Sequence, residues 1–396
     1  MSAKVANNEK LPLFSPAPPP ASKLARYRLL SPHAGIHVSP LQLGGMSIGS
    51  GWADSGFGAM DKESSFKLLD AFYEKGGNFI DTANNYQDET SEMTIGEWAE
   101  TRDIRDQLVI ATKFSTDYKA RNPNIHIKVN YLGNNKKNLN VSVEASLKKL
   151  RTTYIDILYV HWYDFTTSIE EIMDSLHHLV AQGKVLYLGI SDSPAWFIAS
   201  ANRYARDHGK TPFVIYQGPW NVMMREIERE ILPMVRHEGM AIAPWNVLAA
   251  GKFRSDEEEE RRRKTGEKGR ELVALYGPGW ERNEKEKNMS AALEKVAKEV
   301  GTKHLTAVAI AYVMQKVPYV FPIIGGRKVE HLVANIEALD IALTPEQIKY
   351  LESVTPFDPG FMAAFMNTDS EYTPVYGATG TFDRQPVALP IRPKAQ

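Results

Sequence analysis

Four residues in the first half of this chain could together move a proton: Asp81, Tyr86, Lys113 and His161. A phenol has an unperturbed pKa of roughly 10, too high for easy proton exchange at neutrality. An ammonium beside it stabilises the phenolate and so lowers that value. A carboxylate next to the ammonium fixes its position and keeps it protonated. An imidazole near the phenol can donate a hydrogen bond to a carbonyl oxygen and orient it. Tyr86, Lys113, Asp81 and His161 supply those types in that order, which makes an acid/base device. Taken singly, each is as well explained by a cap, a salt bridge or a satisfied core histidine; their placement decides between the readings.

That placement follows a rhythm of short apolar runs alternating with longer amphipathic ones, the pattern of βα units around a parallel sheet. The short runs are Leu41 to Leu43, Phe79-Ile80, Leu108 to Ala111, Ile155 to Val160, Val185 to Ile190, Phe213 to Tyr216, Ala241 to Ala243 and Tyr319 to Ile324. They number about eight, which closes a barrel whose interior is filled by side chains. Helices are predicted over Lys62 to Lys75, Lys137 to Leu150, Ser168 to Ala181, Pro194 to His208, Met289 to Val300 and Lys328 to Leu339. Run after run ends in a polar or aromatic residue: Asp81, Lys113, His161, Ser191-Asp192, Gln217 and Trp245-Asn246. In such barrels the C-terminal ends of the strands build the site, whereas strand interiors pack. The ring of polar ends therefore reads as a site on an α/β fold, a (β/α)8 TIM barrel.

Composition narrows the function further. The 47 Lys+Arg against 48 Asp+Glu leave a net charge of -1, unlike a protein that holds nucleic acid by neutralising phosphates. There is no Cys, which removes thiolate metal sites and cysteine nucleophiles and fits a reducing, cytoplasmic setting. No apolar run approaches the roughly 18 residues of a membrane span. No G-x-G-x-x-G follows an early strand, because Gly44-Gly45 and Gly49-Ser50-Gly51 are wrongly spaced, so a classical dinucleotide fold is disfavoured. We expect a Pro-rich flexible arm over residues 1–26, a barrel over 27–361 that opens with a short hairpin, and a tail over 362–396 packing on one barrel end. Asp256 to Arg263 reads as a solvated charged helix or loop with salt-bridged faces. Trp52, Tyr118 and Trp162, in loops after the first, third and fourth strands, are candidates for an aromatic-walled pocket suited to flat aryl carbonyls.

The motifs Asn78-Phe79-Ile80-Asp81-Thr82-Ala83-Asn84-Asn85-Tyr86, Ala111-Thr112-Lys113 and Val160-His161-Trp162 resemble the aldo-keto reductase superfamily. Phe72-Tyr73-Glu74-Lys75-Gly76-Gly77 before them is similar to the branch of fungal aryl-alcohol dehydrogenases and norsolorinic acid reductase-like enzymes. The resemblance implies reversible, metal-independent carbonyl reduction with NADPH/NADP+ extended across the barrel mouth. In it Tyr86 is the general acid, Lys113 lowers its pKa, Asp81 pairs with Lys113, and His161 orients the substrate carbonyl. Ser191, Asp192 and Gln217 would hold the nicotinamide, with Trp245 stacked on its face. Gly45, Met46, Asn246, Gly251 and Lys252 would complete the cleft, Lys252 over the pyrophosphate. In Gly325-Gly326-Arg327-Lys328-Val329-Glu330-His331-Leu332-Val333-Ala334-Asn335 the match puts Arg327 on the 2′-phosphate and His331 and Asn335 near the adenine. His331 stands where Gln is common in the family and Ala334 where Glu is common. The partner expected is a small aromatic carbonyl substrate, with no nucleic acid and no membrane. An alternative from another class is a nicotinamide-sensing regulatory subunit resembling those of potassium channels.

Overall fold

In the computed structural model, which describes residues 13–267, 273–361 and 372–393, the short apolar runs pair side by side in chain order. A hairpin comes first, β1 (Arg28–Ser31) antiparallel to β2 (Ala34–Val38). The eight-stranded sheet is made of β3 (Gln42–Gly44), β4 (Phe79–Asp81), β5 (Val109–Phe114), β6 (Ile155–Val160), β7 (Val185–Ser191), β8 (Phe213–Pro219), β9 (Ala241–Trp245) and β10 (Ile323–Ile324). Its order is β10-β3-β4-β5-β6-β7-β8-β9, parallel at every pairing.

The last run closes the circle in two steps. Ile242 N–H donates to Tyr319 O at 2.9 Å and Phe321 N–H to Ile242 O at 2.8 Å, which joins residues 319–321 to β9. Ile323 and Ile324 then pair with β3. Pro322, which has no N–H to give, sits where the pairing changes partner, and its carbonyl accepts from Gln42 N at 2.9 Å. One expected strand is therefore a split seam.

The surrounding helices are α1 (Lys62–Glu74), α2 (Thr90–Thr101), α3 (Lys136–Leu150), α4 (Ile169–Ala181), α5 (Ala195–Asp207), α6 (Ile231–Glu238), α7 (Asp256–Thr265), α8 (Val273–Tyr276), α9 (Glu284–Glu299), α10 (Leu305–Met314), α11 (Val329–Ile336) and α12 (Pro345–Val354). Several of their starts are capped by side chains: Asp61, Asn135 and Ser168 each accept the N–H three residues on, and Asn283 with Glu286 closes a capping box. In α4, Ile172, Met173, Leu176 and Leu179 lie on one buried stripe, which is what holds so short a helix in place.

Five helices, α2, α6, α8, α10 and α12, were not foreseen. In α10 every residue but Thr306 is buried, so no apolar stripe distinguishes a face. In α2, Gly96 interrupts the pattern, and a Cβ there would stand 2.4 Å from Lys149 O, so close packing on α3 requires the glycine.

The charged insert departs from the solvated reading in one respect. It is a helix with salt-bridged faces, but Glu259 is buried and accepts from Arg254 (2.8 Å) and Arg282 (2.6 Å), both buried as well. Burial of that carboxylate is sustained only because two guanidinium groups satisfy it.

At the N-terminal end of the barrel the hairpin forms a plug: Leu30, Ala34 and Val38 pack with Phe79, Ile157, Ile215 and Phe321. The tail passes the same end, where Arg392 donates to Leu343 O and Gln315 O. Leu24, within the stretch expected as an arm, is buried in the main core. Residues 1–12 and 362–371 lie outside the described residues. Among the described residues no helix is long and apolar enough to cross a membrane.

Candidate active site

The opposite end of the barrel holds charge. β4 ends in Asp81 and its neighbour β5 carries Lys113, so the parallel register puts both side chains at the same rim. Lys113 Nζ is fully buried and donates to Asp81 Oδ1 and Oδ2, each at 2.8 Å, and to Thr82 O at 2.7 Å; Tyr86 Oη is 3.4 Å away. Asp81 Oδ1 also accepts from Gln217 Nε2 at 2.8 Å. Burial would push the ammonium toward its neutral form, but Asp81 and the Tyr86 oxygen outweigh it and the Lys113 pKa is raised. The lysine is a fixed cation.

The phenol of Tyr86 departs from expectation. Burial raises its pKa, and Lys113, although it pulls the other way, does not overcome that, partly because Asp81 screens the ammonium. Tyr86 is thus held in its neutral, protonated form beside a fixed cation. His161 continues β6, with its N–H on Phe114 O at 3.0 Å, and its ring stands perpendicular to Tyr86 with centroids 6.0 Å apart. Burial, then the nearby Lys113, lowers its pKa to about 3, so the imidazole is neutral. Its Nδ1 lies 3.4 Å from Thr116 Oγ1, which also accepts the Trp162 indole N–H at 3.0 Å.

Around the same rim lie the remaining strand ends. Ser191 Oγ and Asn246 Oδ1 are buried without a hydrogen-bond partner among the described residues. Asp192 (φ 39°) and Asn246 (φ 61°) both adopt left-handed backbone that ordinary residues avoid, and Trp245 Nε1 donates to Asp192 Oδ1 at 3.2 Å. Unsatisfied polar atoms and strained residues at two strand ends are what a polar, planar ligand would relieve. Further round, Arg327 and Lys328 are exposed at the start of α11, while Gly325, Gly326 and the buried Asn335 line a small cleft beside them. His331 lies exposed on the first turn of α11.

Not every residue singled out in the sequence reaches this rim. Lys252 is buried and turned away, donating to Gly279 O (3.2 Å) and Glu281 O (2.5 Å) beside Glu286. Gly251 beside it, with φ 85°, leaves the surface open. Tyr118 is buried against Tyr131 and its hydroxyl is 3.4 Å from Val141 O, so it forms no open wall. Trp52 does stand at the mouth, edge-on to Tyr86 with centroids 6.0 Å apart and 5.7 Å from Phe57. Gly45 and Met46 follow β3; a Cβ on Gly45 would stand 2.7 Å from Asp81 O, so only glycine lets the two strand ends meet.

Thr116, Tyr159 and Gln87 were missed. Thr116 is three positions past Lys113 and carries no motif. Tyr159 lies inside the barrel with Lys113 Nζ 5.8 Å from its ring, in space that Gly189 leaves open. For Gln87, adjacency to Tyr86 was the available signal.

With this geometry in view, comparison with known proteins is direct. A sequence model of the aldo/keto reductase family matches residues 40–356. The chain is 60% identical over 384 residues to an aryl-alcohol dehydrogenase [NADP(+)] of Phanerodontia chrysosporium, covering 96% of this chain and 99% of that one. It is 57% identical over 351 residues to the aldo-keto reductase ausK of Emericella nidulans, covering 89% and 87%. It is 51% identical over 350 residues to norsolorinic acid reductase A of Aspergillus parasiticus, covering 88% and 86%.

Proposed function

The chain belongs to the aldo/keto reductase family, and on that premise we propose that it uses NADPH to reduce aryl or polyketide-derived aldehydes and ketones to alcohols, reversibly. The observation that carries the reading is the short relay from Asp81 through Lys113 (2.8 Å) to Tyr86 (3.4 Å) at the barrel mouth.

NADPH, held by Ser191, Trp245, Asn246 and Arg327, would supply the hydride that reduces the carbonyl carbon. The protein's part is to supply the proton and hold the geometry. Tyr86 Oη gives its proton to the carbonyl oxygen as the carbon is reduced, so the product is the alcohol and the residue is left as phenolate. Lys113 stabilises that phenolate at short range, where a fixed ammonium costs no reorganisation as charge develops. Asp81 and Thr82 O keep the ammonium from swinging away. His161, neutral, donates one ring N–H to the same carbonyl oxygen. In the reverse direction the phenolate takes the alcohol proton back.

The residues fit the cofactor. Ser191 and Asn246 offer unpaired buried oxygens, Trp245 offers a flat surface, and Arg327 offers a planar, permanently charged fork to a 2′-phosphate. Trp52 and Trp162 flank the place where an aryl group would lie. The name of the Phanerodontia chrysosporium relative supports both the cofactor and the substrate class. The reading is tested by following NADPH consumption with a panel of aryl aldehydes and polyphenolic ketones. Turnover with at least one aryl carbonyl is expected; no oxidation of NADPH with any of them would overturn it.

A further inference from the structure

Directly after Tyr86 the backbone does something costly. Gln87, Asp88 and Glu89 have φ of 54°, 49° and 77°, three successive non-glycine residues in the left-handed region that side chains with a Cβ disfavour. A glycine would take the Gln87 conformation freely, so the glutamine side chain must return something. It is fully buried, and its amide is completely engaged. Nε2 donates to Met46 O and to Gly58 O, each at 2.7 Å, and Oε1 accepts from Trp52 N at 2.9 Å. With two carbonyls on one side and an N–H on the other, the amide can sit in only one orientation.

These three bonds all land on the segment between β3 and α1, at its beginning, middle and end. That segment carries Trp52 over Tyr86 and brings Gly58 against Arg327, whose Cδ lies 3.7 Å from where a Gly58 Cβ would stand. The main chain of the same turn is just as close: a Cβ on Gly51 would be 2.1 Å from Gln87 O. Asp88 Oδ1 accepts the Trp52 indole N–H at 3.0 Å.

We propose that Gln87 is a specificity-determining positioning residue: its amide pins the 49–60 segment across the mouth and so fixes Trp52 as the substrate wall. Without these bonds the segment would keep its short antiparallel bridge between Gly49 and Met60, the side-chain bonds of Ser50 N to Thr90 and of the Trp52 indole to Asp88, and surface contacts such as Arg121 to Asp54, but it would lose the three that fix its main chain at Met46, Trp52 and Gly58 to one buried amide. The proposal rests on the reductase reading for the nature of the substrate, but the pinning itself does not.

The test pairs two variants. Gln87→Gly removes the amide and relieves the backbone, and Gln87→Met removes the amide and keeps both length and strain. Both are expected to raise KM for an aryl aldehyde about tenfold, the scale of losing a net interaction in a bound complex, with kcat within about twofold. Both should also speed amide hydrogen exchange over residues 49–60. Trp52→Leu should give the same KM change, and combining it with Gln87→Gly should add little. If Gln87→Met does not fold, Gln87→Gly decides. Unchanged KM and unchanged exchange in Gln87→Gly would overturn the proposal, as would a lowered Tm with KM and exchange unmoved. If the unmodified protein turns over no aryl carbonyl, the reductase reading fails, and exchange over 49–60 alone still decides whether Gln87 pins the segment.

Discussion

The two ends of the barrel interior are built from the same strands and could hardly differ more. At the N-terminal end Phe79, Ile157, Ile215 and Phe321 meet the hairpin in a dry plug. At the C-terminal end β4, β5, β6 and β8 present Asp81, Lys113, His161 and Gln217, with oxygens of Ser191 and Asn246 unpaired among the described residues. Apolar burial at one end is favourable by about 25 cal/mol per Å². Buried charge at the other costs stability unless every partner is in place. One end stabilises the fold, and the other spends part of that stability on a pre-set electrostatic environment.

Substitutions should therefore separate by end. Lys113→Met is expected to strike hardest, because it leaves Asp81 buried without its cation: turnover should fall by about 10³-fold or more, and stability by roughly 3–5 kcal/mol, read by steady-state kinetics and urea melts. Phe321→Ala should cost a similar roughly 3–5 kcal/mol in the same melts while kcat/KM stays within about twofold; an equal loss of activity would erase the distinction between the ends. Arg327→Ala should weaken NADPH binding by about ten- to a hundredfold, the scale of a charged hydrogen bond, and leave NADH binding unchanged, measured by titration calorimetry.

The smallest effect concerns pH. His161 is held neutral in the fold, its pKa lowered to about 3, whereas in the unfolded chain it would ionise near 6.5. Between those values the unfolded state binds the extra proton, so this residue's contribution to stability declines as pH falls through that window and is constant above it. Nuclear magnetic resonance should show no ring titration of His161 from pH 8 down to about 5. A shift near 6.5 would show an imidazolium at the site.

Much of this was legible from the sequence, for particular reasons. Strand ends such as Asp81, Lys113 and His161 announce themselves because a polar residue closing an apolar run has no packing role. α10 was invisible because burial on all sides leaves no period, and the last strand was misread as one unit because Pro322 splits its pairing between two neighbours. The direction of the Tyr86 pKa could not be read at all, since it depends on how burial and Asp81 together offset Lys113. Lys252 and Tyr118 were drawn inward by carbonyls and by α3, contacts that only tertiary structure creates.

The central claim concerns one hydroxyl, that of Tyr86, as the proton donor beside a fixed ammonium. The direct measurement is Tyr86→Phe, assayed for NADPH-dependent reduction of an aryl aldehyde and, in parallel, for NADPH binding by fluorescence. The account predicts a fall in kcat of about 10²–10⁴-fold with binding and Tm unchanged. Turnover within a few-fold of the unmodified protein, with the cofactor bound normally, would contradict it.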